Sequence, residues 1–87
     1  MLTKSLAIEW ALKGIHVNAI APTFIRTDLN AFLLDDKATR EWVLSRIPMG
    51  RVGNIWDLFG AAVFLASAAS DFITGQILYV DGGWTAA

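Results

Sequence analysis

The sequence of 87 residues holds no cysteine, a single histidine and only two prolines. Without thiols there are no disulfides and no thiolate metal sites, and one histidine cannot build a His-rich metal centre, so no metal is expected. The lack of disulfides agrees with a reducing, cytoplasmic setting. Charge is scarce as well: seven Lys plus Arg stand against eight Asp plus Glu, for a net charge of -1. Such a balance gives no electrostatic reason to expect nucleic acid or an anionic membrane as a partner. Long apolar runs are also missing. The most apolar stretch, residues 58–66, falls far short of the ~18–20 residues that span a bilayer, and Asp57 stands at its edge. Behind Met1, LTKSLAIEWALKG has no basic leader, apolar middle or small-residue cleavage site, so it does not read as a signal peptide. The chain reads as soluble.

What the chain has in quantity is apolar side chains, 55% of the total. A chain this short removes only about two thirds of its unfolded surface from water, and it falls below the ~100–200 residues of a common enzyme domain. Leu2, Leu6 and Trp10 recur every four residues with Lys4, Ser5, Glu9 and Lys13 between them, which predicts an amphipathic helix. Gly14 can close it in the left-handed conformation, with Ile15 packing back on Trp10. Residues 15–21 are largely β-branched or otherwise apolar and run into Pro22, the pattern of a short buried strand. Residues 28–47 predict a surface helix that starts at Asp35 and Asp36, carries a Lys37–Glu41 pair, turns Ala38 and Trp42 inward with Leu44 or Ile47, and stops at Pro48. After the turn MGRVGN, Asn54 can cap a third helix from residue 55 to about 69, with Asp57 near its positive end. Trp56, Phe59, Val63, Phe64 and Leu65 cover more than one side of that helix, so something beyond its own sheet is expected to cover it. A turn on Gly75 leads to a second strand, residues 76–80, and DGGW closes the chain. Strand, two helices and strand fit a right-handed crossover between parallel strands.

Taken in order, GIHVNAIAPTFIRTDL, IPMGRVGN and FITGQILYVDGGW resemble the C-terminal part of the short-chain dehydrogenase/reductase family, across nearly the whole chain. The resemblance implies an α/β fold, the C-terminal part of a Rossmann-type doubly wound parallel sheet. It also implies NAD or NADP as cofactor, a small alcohol or carbonyl as substrate, hydride transfer between them by a Ser, Tyr and Lys set, and a homo-oligomer, dimer or tetramer. The opening helix looks like the second half of the one that bears the family's Tyr-x-x-x-Lys motif. That motif is absent from the 87 residues: the one tyrosine, Tyr79, lies in the last predicted strand with no lysine four residues on. The glycine motif and the residues that meet the adenosine ribose are absent too, so NAD and NADP are not distinguished. By spacing, the catalytic pair is expected just upstream of Met1, which makes Met1 an internal methionine of a longer reading frame or the chain a truncated copy. No catalytic residue is therefore assigned here. The rival expectation is a non-enzymatic piece that only associates through its apolar third helix and last strand.

The binding residues follow from the strand end. In open α/β sheets ligands bind beyond the carboxyl ends of strands, so the loop leaving Ala21 is where a nucleotide would lie. The family places a Pro-Gly-x-x-x-Thr segment there, which maps cofactor contacts onto Pro22, Thr23, the backbone at Ile25, and Thr27. Thr23 departs from the pattern, where glycine is usual. From the residues alone Thr27 has two readings, a neutral hydroxyl for the cofactor or a cap for a helix opened by Asp28. Residues 28–47 correspond to the family's substrate lid, where Phe32, Leu33, Leu34 and Trp42 either face substrate or pack the lid on the core. Gly50 to Gly53 follows a helix rather than a strand, which argues against a phosphate loop and makes Arg51 a salt-bridge partner. Asp81-Gly82-Gly83 reads as a chain-ending turn with no helix behind it. His16 reads as a partly exposed strand residue and Lys4 as solvated.

Overall fold

The computed structural model describes residues 1–86. Helix α1 (Leu2–Trp10) runs into a 3-10 turn, Ala11–Lys13, and closes at Gly14 with φ 75°. Gly14 N–H donates to Ala11 C=O at 3.2 Å and Ile15 N–H to Trp10 C=O at 3.3 Å, the paired bonds that a left-handed glycine allows at a helix end. Strand β1 (Ala19–Pro22) follows. It begins later than the apolar run because side chains interrupt the ladder at residues 17 and 18, although Val17 C=O still accepts from Gly75 N–H at 2.8 Å. Val17 N–H donates to the Thr74 hydroxyl, and the Asn18 amide donates to Ile73 C=O while accepting from Gln76 N–H. Strand β2 (Ile77–Val80) pairs with β1 in parallel, Ala19 opposite Ile77 through Pro22 opposite Val80. His16 precedes the strand and is exposed, which corrects its strand placement. Lys4 is not merely solvated, since its ammonium donates to Gly75 C=O at 3.2 Å.

Between the strands lie α2 (Ala31–Asp35), α3 (Lys37–Ser45) and α4 (Ile55–Ala66). The single lid helix expected from the sequence is two, because Asp36 is extended and caps α3 by accepting from Thr39 N–H and the Thr39 hydroxyl. The Thr39 amide and then its hydroxyl hold the Asp36 carboxyl below its ordinary range. Lys37 and Glu41 do approach, at 4.0 Å across α3. Helix α4 starts at Asn54 as expected but stops at Ala66, short of residue 69. Ser67 turns extended there, and the buried Ser70 hydroxyl satisfies the carbonyls of Leu65 and Ser67.

The core is small. Leu34, Val43 and Ile47 cluster together, with Phe24, Val52 and Trp84 packed against them. Ala7 is the one buried residue of α1, and α4 has none. Leu2 of the expected apolar stripe is exposed, whereas Leu6 and Trp10 are half-buried. In α3 the inward residue is Val43, while Ala38 and Trp42 are exposed, because α3 rests on the residues around α2 and the chain's last turn rather than on the sheet. Among the described residues no helix is long and apolar enough to cross a membrane.

Candidate functional site

At the carboxyl end of β1 the chain does not stop pairing. Phe24 C=O accepts from Gly53 N–H at 2.9 Å and Gly53 C=O accepts from Arg26 N–H at 2.8 Å, a one-residue parallel bridge between Ile25 and Gly53. A Cβ at residue 53 would stand 2.6 Å from Ile25 Cδ1, so glycine lets the Ile25 side chain lie over the bridge as it does. In such a bridge the amide and carbonyl of Ile25 itself point away from Gly53. The carbonyl is taken by the Asn30 amide at 2.8 Å. The Ile25 N–H donates to no group among the described residues. Two residues on, Thr27 N–H donates to Asn30 Oδ1 at 2.8 Å, and its side chain is exposed.

The two readings of Thr27 separate here. Asp28 opens no helix: the first lid helix begins at Ala31 with Asn30 in the capping position, and the Thr27 hydroxyl caps nothing. Pro22 is the exposed last residue of β1, and Thr23 is half-buried behind it. Among the described residues none other than glycine has positive φ, so Thr23 follows the loop without the left-handed backbone that would demand glycine. A carboxamide needs a neutral donor for its oxygen and neutral partners for its nitrogen, and the Ile25 N–H and Thr27 hydroxyl are of that type. The donor set therefore fits the nicotinamide end of a dinucleotide.

Below the bridge, Arg51 forms a two-pronged pair with Asp57, Nη1 to Oδ2 at 2.8 Å and Nη2 to Oδ1 at 2.9 Å. Asp57 Oδ2 also accepts from Asn54 N–H at 2.8 Å, while Asn54 Oδ1 accepts from Trp56 N–H at 2.9 Å, so the cap of α4 is reciprocal. The Arg51 guanidinium, and then the Asn54 amide, lower the Asp57 carboxyl to about 2. Arg51 is thus the ion-pair partner expected from the sequence. Asp81 is likewise occupied: it accepts from the Thr85 hydroxyl at 2.6 Å and from Gly83 N–H at 3.0 Å, which hold its carboxyl below the ordinary range. A 3-10 turn, Trp84–Ala86, follows it, contrary to the expectation of no helix, and Asp81 caps that turn by accepting from Thr85 N–H.

A cavity of about 190 Å³ opens beyond the carboxyl ends of both strands, lined by Phe24, Ile25, Met49, Arg51, Val80 and Gly82 among others. Of the predicted contacts only Ile25 lines it; Pro22, Thr23 and Thr27 lie on the loop outside. The lid side chains divide. Leu34 packs the core and Phe32 and Leu33 are exposed. Trp42 stands edge-on to Phe24 at 6.5 Å and to Trp84 at 6.1 Å, with Arg46 over both indoles at 5.9 and 5.5 Å. Tyr79 sits mid-strand opposite Ala21, away from any lysine partner in sequence. Sequence reasoning missed Asn30. The available signal was an Asn three residues past a loop threonine, a residue type that bonds nearby backbone in turns.

Comparison with known proteins gives a consistent result. Residues 1–85 match the family model described as enoyl-(acyl carrier protein) reductase. The 2-dehydro-3-deoxy-D-gluconate 5-dehydrogenase of Bacillus subtilis (strain 168) is 57% identical over 83 residues, covering 95% of this chain and 33% of the relative. The 5-keto-D-gluconate 5-reductase of Escherichia coli (strain K12) is 45% identical over 87 residues, covering 100% of this chain and 34% of the relative. Among solved structures, a gluconate 5-dehydrogenase from Burkholderia cenocepacia J2315 in complex with NADP and tartrate superposes with a TM-score of 0.93 at 53% identity, over 100% of this chain and 34% of that one. The chain spans about a third of the length of the relatives it matches.

Proposed function

The chain belongs to the short-chain dehydrogenase/reductase family, and on that premise we propose that it supplies the nicotinamide-facing loop, the lid (residues 28–47) and the last strand of an NAD- or NADP-dependent oxidoreductase. The substrate class is a sugar acid, with the reaction at an alcohol or carbonyl carbon, in keeping with the gluconate and ketogluconate enzymes it is similar to. The cofactor supplies the hydride acceptor or donor. The role of these residues is to bind and orient it, with Pro22 and Thr23 setting the loop's exit from β1, and Ile25 N–H and the Thr27 hydroxyl meeting the carboxamide. The observation that carries the reading is the Ile25 N–H without a partner among the described residues, beside an exposed Thr27, at the carboxyl end of a parallel strand.

The same proposal extends to assembly. The outer face of α4 presents Trp56, Phe59 and Val63 to solvent, Trp56 at 74% exposure, and Tyr79 of β2 is also exposed. A second copy packing across α4 and β2 would cover them, giving a homo-oligomer.

The test of the binding role is Thr27→Ala in the complete enzyme that carries this chain. Losing one neutral hydrogen bond of ~0.5–1.5 kcal/mol weakens cofactor binding about two- to twelvefold. Thermal stability should stay at the parent value, because the hydroxyl caps no helix. Unchanged cofactor affinity refutes the assignment of Thr27.

A further inference from the structure

We propose that Asn30 is a positioning residue for the nicotinamide loop, one that holds the Ile25 amide and the Thr27 hydroxyl at a fixed spacing while touching no ligand itself. The inference rests on the reading of that loop as the cofactor's. Asn30 occupies the capping position of α2, where an Asn side chain ordinarily accepts from the helix's own amides. It makes no such bond. Its side chain instead reaches back along the chain, donating from Nδ2 to Ile25 C=O at 2.8 Å and accepting at Oδ1 from Thr27 N–H at 2.8 Å. The orientation of the amide is fixed by chemistry, since rotation by 180° would set an NH₂ against an N–H and an oxygen against a carbonyl. Both bonds are short, and both end on the residues proposed to meet the carboxamide.

The clamp also joins the loop to the lid. The Asn30 carbonyl accepts from Leu33 N–H at 3.0 Å and Leu34 N–H at 3.2 Å, and Leu34 is buried in the core beside Val43 and Ile47. On the other side, Gly53 holds Phe24 and Arg26 by backbone bonds. Ile25 is thereby fixed from both directions, by a strand-like bridge on one side and a side-chain amide on the other. Its N–H, the group left over, acquires one direction. A loop without the Asn30 side chain keeps the bridge and the longer bond from Asn30 N–H to Thr27 C=O at 3.3 Å, but it loses the two short bonds, so Thr27 N–H is released.

Two variants of the complete enzyme separate positioning from general stability. Asn30→Ala removes both bonds. Asn30→Asp keeps the acceptor for Thr27 N–H but sets a carboxylate against Ile25 C=O. In the nucleotide-free enzyme, amide hydrogen exchange at Thr27 should rise about tenfold or more in Asn30→Ala and stay near the parent rate in Asn30→Asp. The cofactor dissociation constant should rise about three- to tenfold in both. The cofactor KM should follow it, while the substrate KM at saturating cofactor stays unchanged. Unaltered Thr27 exchange in Asn30→Ala overturns the clamp. Faster exchange with unaltered cofactor affinity overturns the positioning role. In that case Thr27→Ala tells which idea fails: weakened binding there leaves the loop assignment standing without Asn30, and unchanged binding removes the loop assignment as well.

Discussion

Gly82 gives the sharpest stability prediction, because two separate penalties meet at one atom. Its φ is 63°, in the left-handed region, and its carbonyl accepts from Met49 N–H at 3.0 Å, which ties the last turn to the end of the lid. A Cβ added there would lie 2.6 Å from Ile47 Cγ2. That methyl branches from Ile47 Cβ, so it moves only if χ1 changes, and β-branched side chains resist that. Ile47 is also one of the buried core residues, so a rotamer change would disturb its packing against Leu34 and Val43. The backbone term is about 1–2 kcal/mol and overpacking a core adds about 1–3 kcal/mol, so Gly82→Ala should cost about 2–5 kcal/mol in all. Gly14→Ala is the internal control: φ is 75°, but no atom lies within 4 Å of the added carbon, so only the backbone term applies. Denaturant unfolding of the complete protein should show a lower midpoint at an unchanged m-value for both variants, with Gly82→Ala lower by the overpacking increment. Equal destabilisation of the two variants would refute the steric argument.

Three further outcomes are expected. Asp57 titrates at about 2 in the folded protein against an ordinary 3.8, so its contribution is full above about pH 4 and is lost as pH falls through about 2; Asp57→Asn should flatten acid unfolding in that window, and an unchanged acid limb would contradict the Arg51–Asp57 account. Trp56→Asp and Phe64→Asp place a carboxylate on the outer face of α4, where it is costly if covered; light scattering should show smaller species with the circular dichroism of the parent, and a folded protein of parent mass would exclude that face as an interface. The 87-residue chain by itself should show no NAD(P)-dependent turnover, since no Tyr-x-x-x-Lys is present to deliver a proton and general acid catalysis contributes ~10²–10⁴-fold; activity above a buffer blank would oppose this.

Much of the architecture was legible because it depends on local chemistry. Gly14, Asp36 and Asn54 end or begin helices through bonds made within a few residues, and each acts where its residue type predicts. The parallel pairing of the two strands followed from the long connection between them. The extra helix α2 was missed because its five residues, Ala31–Asp35, are too few to show a helical period. The Ile25–Gly53 bridge was missed for another reason: a single pair of residues 28 apart leaves no periodicity to read. Gly53 then looks like a turn glycine, although it pairs with the loop at Ile25 and leaves room there for the Ile25 side chain.

The errors of burial have one physical origin. Periodicity predicts which side of a helix is apolar, but it does not say what that side meets. In α1 the stripe of Leu2, Leu6 and Trp10 was read correctly as apolar, yet only the small Ala7 is buried, because the turn at Gly75 is what α1 rests on. The Gly75 turn is narrow: a Cβ built on that glycine would lie 3.4 Å from Ala7 Cβ. In α4 the same holds more strongly, since a two-stranded sheet can cover one side of a helix at most, and none of its apolar residues is buried. The lid behaves differently. Val43 and Ile47 are buried because Leu34, Phe24 and Trp84 pack against them from three segments of the same chain. The loop that carries Ile25 and Thr27 is therefore built on the best-packed part of the molecule, and the apolar faces of α1 and α4, left open, lie outside that cluster. That division is what allows the clamp at Asn30 to be tested without disturbing the open apolar faces of α1 and α4.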